Sequence, residues 1–137
     1  QFLYKSNVRS ILEYACTVWD PSTALDKDKL EKVQNRSARY VLGQSAKDRL
    51  FSATLSKKIL GWESLEHRRA KLRLKLFHDI YHSRTGISRE KYIFSPHYLS
   101  SRVDRNKKVC EYKCRTASFS SFFPNRMRQW NRCLRLS

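Results

Sequence analysis

Two helices meet at the stretch Leu60-Gly61-Trp62-Glu63-Ser64-Leu65-Glu66, and this junction decides the predicted fold. Gly61 follows a short apolar pattern that begins at about Ala53, and glycine commonly ends a helix. Ser64 can begin the next helix, because a serine hydroxyl accepts a hydrogen bond from a free backbone N–H of the first turn. Trp62 lies between the two helix ends, so we predict that its ring fills the space between helices as part of the core.

Apolar side chains at helical spacing predict further helices on both sides of this junction. The first runs from about residue 4 to residue 19, and the second from about Ala24 to Leu42, with Gly43 at its end. The longest helix begins after Ser64, and a last helix begins at Pro124. The predicted buried positions are, helix by helix, Tyr4, Val8, Ile11, Leu12, Ala15, Val18 and Trp19; Leu30, Val33, Ser37, Tyr40 and Val41; Leu55, Ile59 and Leu60; Leu65, Leu72, Leu76, Phe77 and Ile80; and Met127, Trp130 and Leu134.

These patterns together predict an all-α fold, a small helical domain of four to five helices with an irregular basic segment before a C-terminal helix. The boundaries are 1–94 for the helical domain, 95–121 for the irregular segment and 122–137 for the C-terminal helix. The presence of only 3 Gly and 3 Pro favours long helices over a turn-rich β architecture. Within the helical domain, residues 44–51 form a polar connector and residues 90–94 a single helical turn.

The net charge of +17 is the strongest compositional feature, and it arises from 29 Lys and Arg against 12 Asp and Glu. The charge is uneven, because residues 1–66 carry +3 and residues 67–137 carry +14. A field of that sign attracts polyanions, and the phosphate backbone of nucleic acid is the commonest such partner. We therefore predict that the second half of the chain binds nucleic acid.

The predicted nucleic-acid contacts lie on the helix after Ser64 and in the irregular segment. They are Arg68, Arg69, Lys71, Arg73, Lys75, Lys107 and Lys108. Contacts of this kind hold phosphates and carry no sequence information. The other interpretation of the helical residues is a merely solvated face. Trp130 is flanked by arginines and is either a core residue or a stacking platform for a base.

Three weaker patterns indicate other kinds of site. Asp104 with Glu111-Tyr112-Lys113 is similar to the acid-x-Lys arrangement of nucleases, but a solvated basic loop explains it better. Cys16 fits a small core residue better than a nucleophile. A His pair and a Cys pair have the four-residue spacing that serves zinc, although a long connection separates them. They are His78, His82, Cys110 and Cys114. We predict no metal and no cofactor.

No run of about eighteen apolar residues and no signal-peptide pattern occurs, so we expect neither a membrane span nor secretion. Four cysteines without a secretion signal indicate a reducing compartment, and hence an intracellular protein, nuclear or cytoplasmic. The first residue is Gln1 rather than Met, so we expect a fragment or a processed piece. The 12 acidic residues are scattered, and neither an Asp-Asp pair nor a Gly-rich phosphate loop occurs. We therefore expect no polymerase active site in this chain.

Four local motifs follow one another along nearly the whole chain. They are Leu12-Glu13-Tyr14-Ala15 through Trp19-Asp20-Pro21; Leu30-Glu31-Lys32-Val33-Gln34-Asn35-Arg36 with Ala38-Arg39-Tyr40; Leu60-Gly61-Trp62-Glu63-Ser64-Leu65-Glu66 with Arg68-Arg69; and Ser121-Phe122-Phe123-Pro124 with Trp130-Asn131. Their order and spacing resemble the C-terminal region of reverse transcriptases encoded by jockey-like non-LTR retrotransposons. The chain departs from that family after Trp130-Asn131, where Arg132-Cys133-Leu134-Arg135 replaces the usual short Leu-Pro ending.

The resemblance implies a position at the thumb boundary and beyond, in a long polyprotein with an N-terminal endonuclease and a central RNA-directed DNA polymerase. It implies that this piece contacts template RNA or the primed DNA end and performs no catalysis itself. Its other partner would be the rest of the parent polyprotein. Two other interpretations stay open, a bracing piece that makes only protein contacts and a stand-alone basic module that binds RNA or DNA.

Overall fold

The computed structural model describes residues 1–21, 23–44, 52–100, 107–116 and 124–136, without the side chains of 124 and 134–136. Across these ranges the regular structure is helical and includes no strand, which confirms the predicted all-α class. A π-helical segment, Tyr4–Arg9, continues directly into helix α1, Ser10–Glu13. The other helices are α2 (Ala24–Val41), α3 (Ala53–Ile59), α4 (Leu65–Tyr81), α5 (Arg89–Tyr92) and α6 (Pro124–Leu136).

The chain forms two compact units, Gln1–Ala70 and Lys71–Ser137, and the boundary between them falls within α4. The predicted helical domain 1–94 therefore includes parts of both units. Most of the predicted connector, residues 45–51, lies outside the described residues. Within the predicted irregular segment, residues 95–100 and 107–116 contain neither helix nor strand.

Local capping explains where α2, α3 and α4 begin. The hydroxyls of Thr23, Ser52 and Ser64 each accept a hydrogen bond from the backbone N–H three residues later, at 3.2, 3.1 and 3.3 Å. Gly43 and Gly61 follow α2 and α3 with φ angles of +67° and +65°, in the left-handed region that glycine adopts without strain. The predicted beginnings of these three helices and the glycines at the ends of α2 and α3 are confirmed.

The N-terminal helix is shorter than the sequence predicted. It ends at Glu13, and Ala15 then adopts a φ of +48°, which turns the chain out of the helical path. The predicted continuation to residue 19 was wrong, because the spacing of apolar residues does not indicate that Ala15 adopts a left-handed conformation. Side chains assigned to the buried stripe are instead exposed, namely Ile11 (70%), Val18 (66%) and Trp19 (41%).

The core of the first unit surrounds two stacked aromatic rings, those of Tyr4 and Trp62. Their centroids are 4.2 Å apart and their planes differ by 16°. Ala38 is buried with them. Partly buried Val8, Val41 and Leu60 complete this cluster. The prediction that Trp62 belongs to the core is confirmed.

The buried face of α2 differs from the predicted one. Gln34 is buried, and its amide donates to the carbonyl of Glu63 (2.7 Å) while its oxygen accepts from the Tyr4 hydroxyl (2.9 Å). Val33 and Tyr40 are 41% and 85% exposed, so their assignment to the core was wrong. The buried face of α2 is rotated relative to the predicted one, because Gln34 both donates and accepts a hydrogen bond and its polar amide can therefore occupy the interior.

Helix α3 shows the same exchange of polar for apolar residues. Ser56 is fully buried, and its hydroxyl donates to the side chain of Gln44 (2.8 Å). Leu55 and Ile59 are 40% and 56% exposed, which corrects their predicted burial.

The core of the second unit surrounds Phe77 and Trp130, whose ring centroids are 5.5 Å apart. The indole N–H of Trp130 donates to the carbonyl of Lys107 (2.9 Å), and Asn131 bonds both the N–H and the carbonyl of Val109 (3.0 Å each). These bonds fix residues 107–109 against α6. Trp130 is therefore a core residue in this structure. The other buried members of the cluster are Ile80, Tyr81, Ile93, Val109 and Met127.

Candidate nucleic-acid interface

The buried line of α4 includes two of the predicted contacts. Leu65, Arg69, Arg73, Phe77 and Ile80 follow one another at intervals of three or four residues, and all five are buried. Leu72 and Leu76, which the sequence assigned to the buried face, are only partly buried. Arg69 is 1% exposed and Arg73 is 6% exposed, so neither guanidinium is presented to solvent.

Arg69 is engaged by a carboxylate of the same unit. Its Nε donates to Oδ1 of Asp20 at 3.2 Å, and the Asp20 side chain is only 11% exposed. Such a pair replaces water around two buried charges, and each partner depends on the other. The function of Arg69 in the described structure is to hold the segment after α1 against α4.

Arg68 is also engaged within the first unit. Its guanidinium makes two hydrogen bonds to the carboxylate of Glu13, one from Nε to Oε1 and one from Nη2 to Oε2 at 3.0 Å. The bond to Glu13 raises the pKa of Arg68 and outweighs the opposing effect of desolvation. The positive charge of Arg68 is therefore already balanced by a two-point ion pair.

The remaining predicted contacts belong to the second unit. Lys71, Lys75 and Lys107 are exposed, and Lys108 is partly buried. These four lysines are the predicted contacts that stay near the surface, whereas the three arginines of the predicted set are paired, buried or both. The stretch of basic residues seen in α4 is thus not a continuous solvated stripe.

Lys107 lies close enough to the C-terminal end of α4 to act electrostatically on His82. Desolvation, followed by the positive charges of neighbouring groups, lowers the pKa of His82. These neighbours are, in decreasing order of effect, His78, Arg84, Lys107 and Arg89. We call His78, His82, Arg84, Arg89 and Lys107 the His82 patch.

Ring contacts, an ion pair and a hydrogen bond position three members of the His82 patch, namely His78, His82 and Arg89. The rings of His78 and His82 have centroids 4.4 Å apart, and Nδ1 of His78 is 3.5 Å from the carboxylate of Asp79. The Arg89 guanidinium lies 4.0 Å from the ring centroid of Tyr81 and donates to the Tyr81 carbonyl at 3.3 Å. Residues 78–89 and Lys107 thus place several cationic groups around one histidine.

Sequence reasoning missed Arg84 and Arg89 as members of this patch. Both lie in the half of the chain that carries +14, near the loop around Gly86. The feature of the sequence that could have indicated these two arginines is their position just after the longest predicted helix. Their convergence with Lys107 could not be read from the sequence, since it depends on how residues 107–109 attach to α6.

The other sites considered from the sequence have structural explanations in the described ranges. Glu111 accepts a hydrogen bond from Asn131 (3.0 Å) and lies 3.6 Å from the Arg128 guanidinium. Asp104, the other acid of the nuclease-like pattern that the sequence analysis set aside, is outside the described residues. Cys16 is 2% exposed. No group of three His, Cys, Asp or Glu able to hold a metal occurs in the part of the chain that the structure describes.

Two further findings bear on the class of protein. No helix in the described ranges has the length and apolar character that crossing a membrane requires. No protein-family model, curated protein or solved structure matches the chain.

Proposed function

We propose that this chain is a nucleic-acid-contacting module from the C-terminal region of a non-LTR retrotransposon reverse transcriptase. The observation that carries the proposal is the charge of the second unit. Residues 71–137 contain 16 basic and 4 acidic side chains, a net +12. The four sequence motifs described above supply the family, and the helical fold is compatible with it.

The proposed interface consists of Lys71, Lys75, Lys107 and Lys108, joined by Arg84 and Arg89. Lysine and arginine side chains bind phosphate oxygens of any sequence, and each contact releases counterions that surrounded the nucleic acid. The module would thereby hold template RNA or the primed DNA end beside the polymerase of its parent. Arg68, Arg69 and Arg73 are left out of the contact set, because their guanidinium groups are paired or buried.

We propose no catalytic step for this chain. Six carboxylates form ion pairs among the described residues of the first unit, and the three least exposed are those of Glu13 with Arg68, Asp20 with Arg69 and Glu31 with Lys57. A two-metal polymerase site needs clustered carboxylates that face a reacting phosphate. The chemistry would come from other parts of the parent polyprotein.

A salt titration of the full chain tests the proposal. Affinity for RNA and for duplex DNA is expected to fall steeply with salt. The double variant Lys75→Gln/Lys107→Gln should weaken binding to every sequence alike and reduce the salt slope by up to about two units. The matched control is Lys27→Gln/Lys29→Gln, which removes the same charge from lysines already paired with Glu66 and Asp26.

A second candidate function is bracing of the parent polyprotein by protein contacts alone. The observation that favours it is a set of exposed apolar side chains at the start of the first unit, Phe2 (80%), Leu3 (72%) and Ile11 (70%). The same titration separates the two functions. Absence of binding at low salt would overturn nucleic-acid contact and leave bracing as the better proposal. Equal losses in the test and control variants would overturn only the assignment of the contacts to Lys75 and Lys107.

A further inference from the structure

A basic groove lies between α2 and the start of α3 in the first unit. It has a volume of about 470 Å³, and Lys32, Arg36 and Arg39 line it together with Asn35 and Tyr40. No Asp or Glu is among the described residues that line it. The groove therefore has the charge that complements a phosphate.

The two arginines of this groove differ from those of α4 in being uncommitted. In the described part of the chain, Arg36 and Arg39 have no carboxylate partner, whereas Lys32 pairs with Asp28 at 2.8 Å. Nε of Arg39 and Oδ1 of Asn35 also have no hydrogen-bond partner there. Both atoms are buried and out of reach of a ligand, so the donors that face a phosphate belong to exposed Arg36 and to the remaining N–H groups of partly buried Arg39. A phosphate oxygen is a strong acceptor for a guanidinium.

An apolar groove of about 500 Å³ adjoins the basic one. It lies between the N-terminal π-helical segment and α2, and Leu3, Tyr4 and Val8 contribute to its wall. Arg36 and Tyr40 line both grooves. Tyr40 is 85% exposed, so its ring is available on the wall that separates an apolar space from a cationic one.

A third groove of the same unit has similar size but not the same chemistry. It has a volume of about 510 Å³ and includes Lys27 and Lys57. Lys27 pairs with Glu66 at 2.9 Å, and Lys57 pairs with Glu31. Among these three grooves, the cationic residues of the third are paired with carboxylates, whereas Arg36 and Arg39 beside Tyr40 are not.

We infer that the paired grooves beside Tyr40 bind unpaired nucleotides of a single strand. A base would stack on Tyr40 in the apolar groove, and the adjoining phosphate would lie between Arg36 and Arg39. Residues 36, 39 and 40 share one face of α2, because helix neighbours recur at intervals of three and four. Proteins that bind single strands combine a cationic groove with an aromatic ring in this way.

The inference rests on the proposed function for its ligand class but assigns a different place and a different form of nucleic acid. In a duplex the bases are stacked within the double helix and cannot enter the apolar groove. Duplex binding is therefore assigned to the lysines of the second unit, and the grooves beside Tyr40 select strands with free bases. The two sites can be tested with separate variants.

The experiment is a binding titration of the full 137-residue chain with three labelled probes of equal length. The probes are oligouridine, an abasic strand with the same number of phosphates, and a duplex. Tyr40→Leu is expected to weaken oligouridine binding about tenfold, and Tyr40→Phe to restore it, because stacking requires the ring and not the hydroxyl. The abasic strand and the duplex should bind both variants and the parent equally.

Matched control variants separate the effect of the Tyr40 ring from that of the Arg36 charge. Tyr14→Leu alters a tyrosine of the same unit that is 76% exposed and lines neither groove, and it should leave binding unchanged. Arg36→Gln should weaken binding of oligouridine and of the abasic strand together, whereas Lys58→Gln, at an exposed position of α3, should weaken neither. After crosslinking with a strand that contains 5-iodouracil, the modified peptide should be the one that contains Tyr40.

The outcomes distinguish the inference from the proposed function. If the parent chain binds no probe at low salt, both fail. If the parent binds all three probes and Tyr40→Leu weakens none, or weakens the duplex equally, the inference is overturned and the proposed function stands. Binding of an acidic peptide that Tyr40→Leu abolishes, with oligouridine unaffected, would show that the grooves accept protein and would also overturn the inference.

Discussion

The rings of Tyr4 and Trp62 stack on one another, although 57 residues separate them along the chain. Beside the stack, the Tyr4 hydroxyl donates to Gln34, and Gln34 donates to the carbonyl of Glu63. The N-terminal segment, α2 and the junction before α4 are thus joined both by ring contact and by hydrogen bonds. We expect the stability of the first unit to depend on this junction.

Trp62→Ala tests the importance of the stack. Trp62 is 8% exposed, and loss of a buried tryptophan costs roughly 3–5 kcal/mol of unfolding free energy. Urea denaturation followed by circular dichroism should show this loss. Trp19→Ala is the control, because Trp19 is 41% exposed, and it should cost much less. Equal midpoints for Trp62→Ala and the parent would contradict a structural function of the ring.

The pH dependence of stability should report on Tyr4. Burial is the main cause that raises the pKa of Tyr4 from 10 to about 12. The folded state therefore retains a proton that the unfolded state releases, so this contribution to stability is complete below pH 10 and is lost as the pH rises to about 12. In Tyr4→Phe the decline over this interval should be shallower. Parallel declines in the two proteins, measured by urea denaturation, would refute the assignment.

Asp20→Ala should destabilise the chain far more than removal of a surface acid. Arg69 is 1% exposed, and loss of its partner leaves a buried charge without compensation, at a cost of roughly 3–5 kcal/mol. Asp28→Ala, which breaks the exposed pair with Lys32, should cost about 1 kcal/mol or less. Thermal denaturation of both variants gives the comparison. A small effect of Asp20→Ala would mean that Arg69 finds another partner.

Nucleic-acid binding should alter the titration of His82. An anion near the His82 patch stabilises the protonated imidazole, so binding should raise the depressed pKa of His82. Affinity should therefore increase as the pH falls below about 6.5, the ordinary value for histidine. Chemical shifts of the His82 ring, with and without bound duplex, measure the change. His82→Gln should reduce the pH dependence, and a pKa that is unaffected by the duplex would exclude the patch from the interface.

The full chain should show no polymerase or nuclease activity with magnesium or manganese. Glu111 is held by Asn131 and lies near Arg128, so its carboxylate already has structural partners. Primer-extension and cleavage assays provide the measurement. Cleavage that disappears in Glu111→Gln would revive the nuclease interpretation.

Helix boundaries could be predicted because their determinants are local. Thr23, Ser52 and Ser64 cap the helices that follow them, and Gly61 turns the chain out of α3. The end of the first helix was missed because Ala15, which has no turn signature in the sequence, adopts a left-handed conformation.

The buried faces could be predicted only in part, since a polar residue enters the core when a distant partner satisfies it. Gln34 depends on Glu63 and Tyr4, and Arg69 depends on Asp20. These partners are 29 to 49 residues away. The spacing of apolar residues within a single helix cannot predict such pairings, because the partner lies elsewhere in the chain. For the same reason, the sequence could not show which of the predicted nucleic-acid contacts reach the surface. Lys75 and Lys107 are exposed, while Arg73 is buried.

The burial of three arginines has a practical consequence for purification of the protein by ion-exchange chromatography. Arg69, Arg73 and Arg126 are 1%, 6% and 4% exposed, so an ion-exchange resin or a heparin column cannot bind their guanidinium groups directly. Elution should therefore depend on the exposed lysines more closely than on the isoelectric point, which counts every arginine in full. Denaturation in urea would release these three groups, and the unfolded chain should be retained more strongly on a cation exchanger than the folded one.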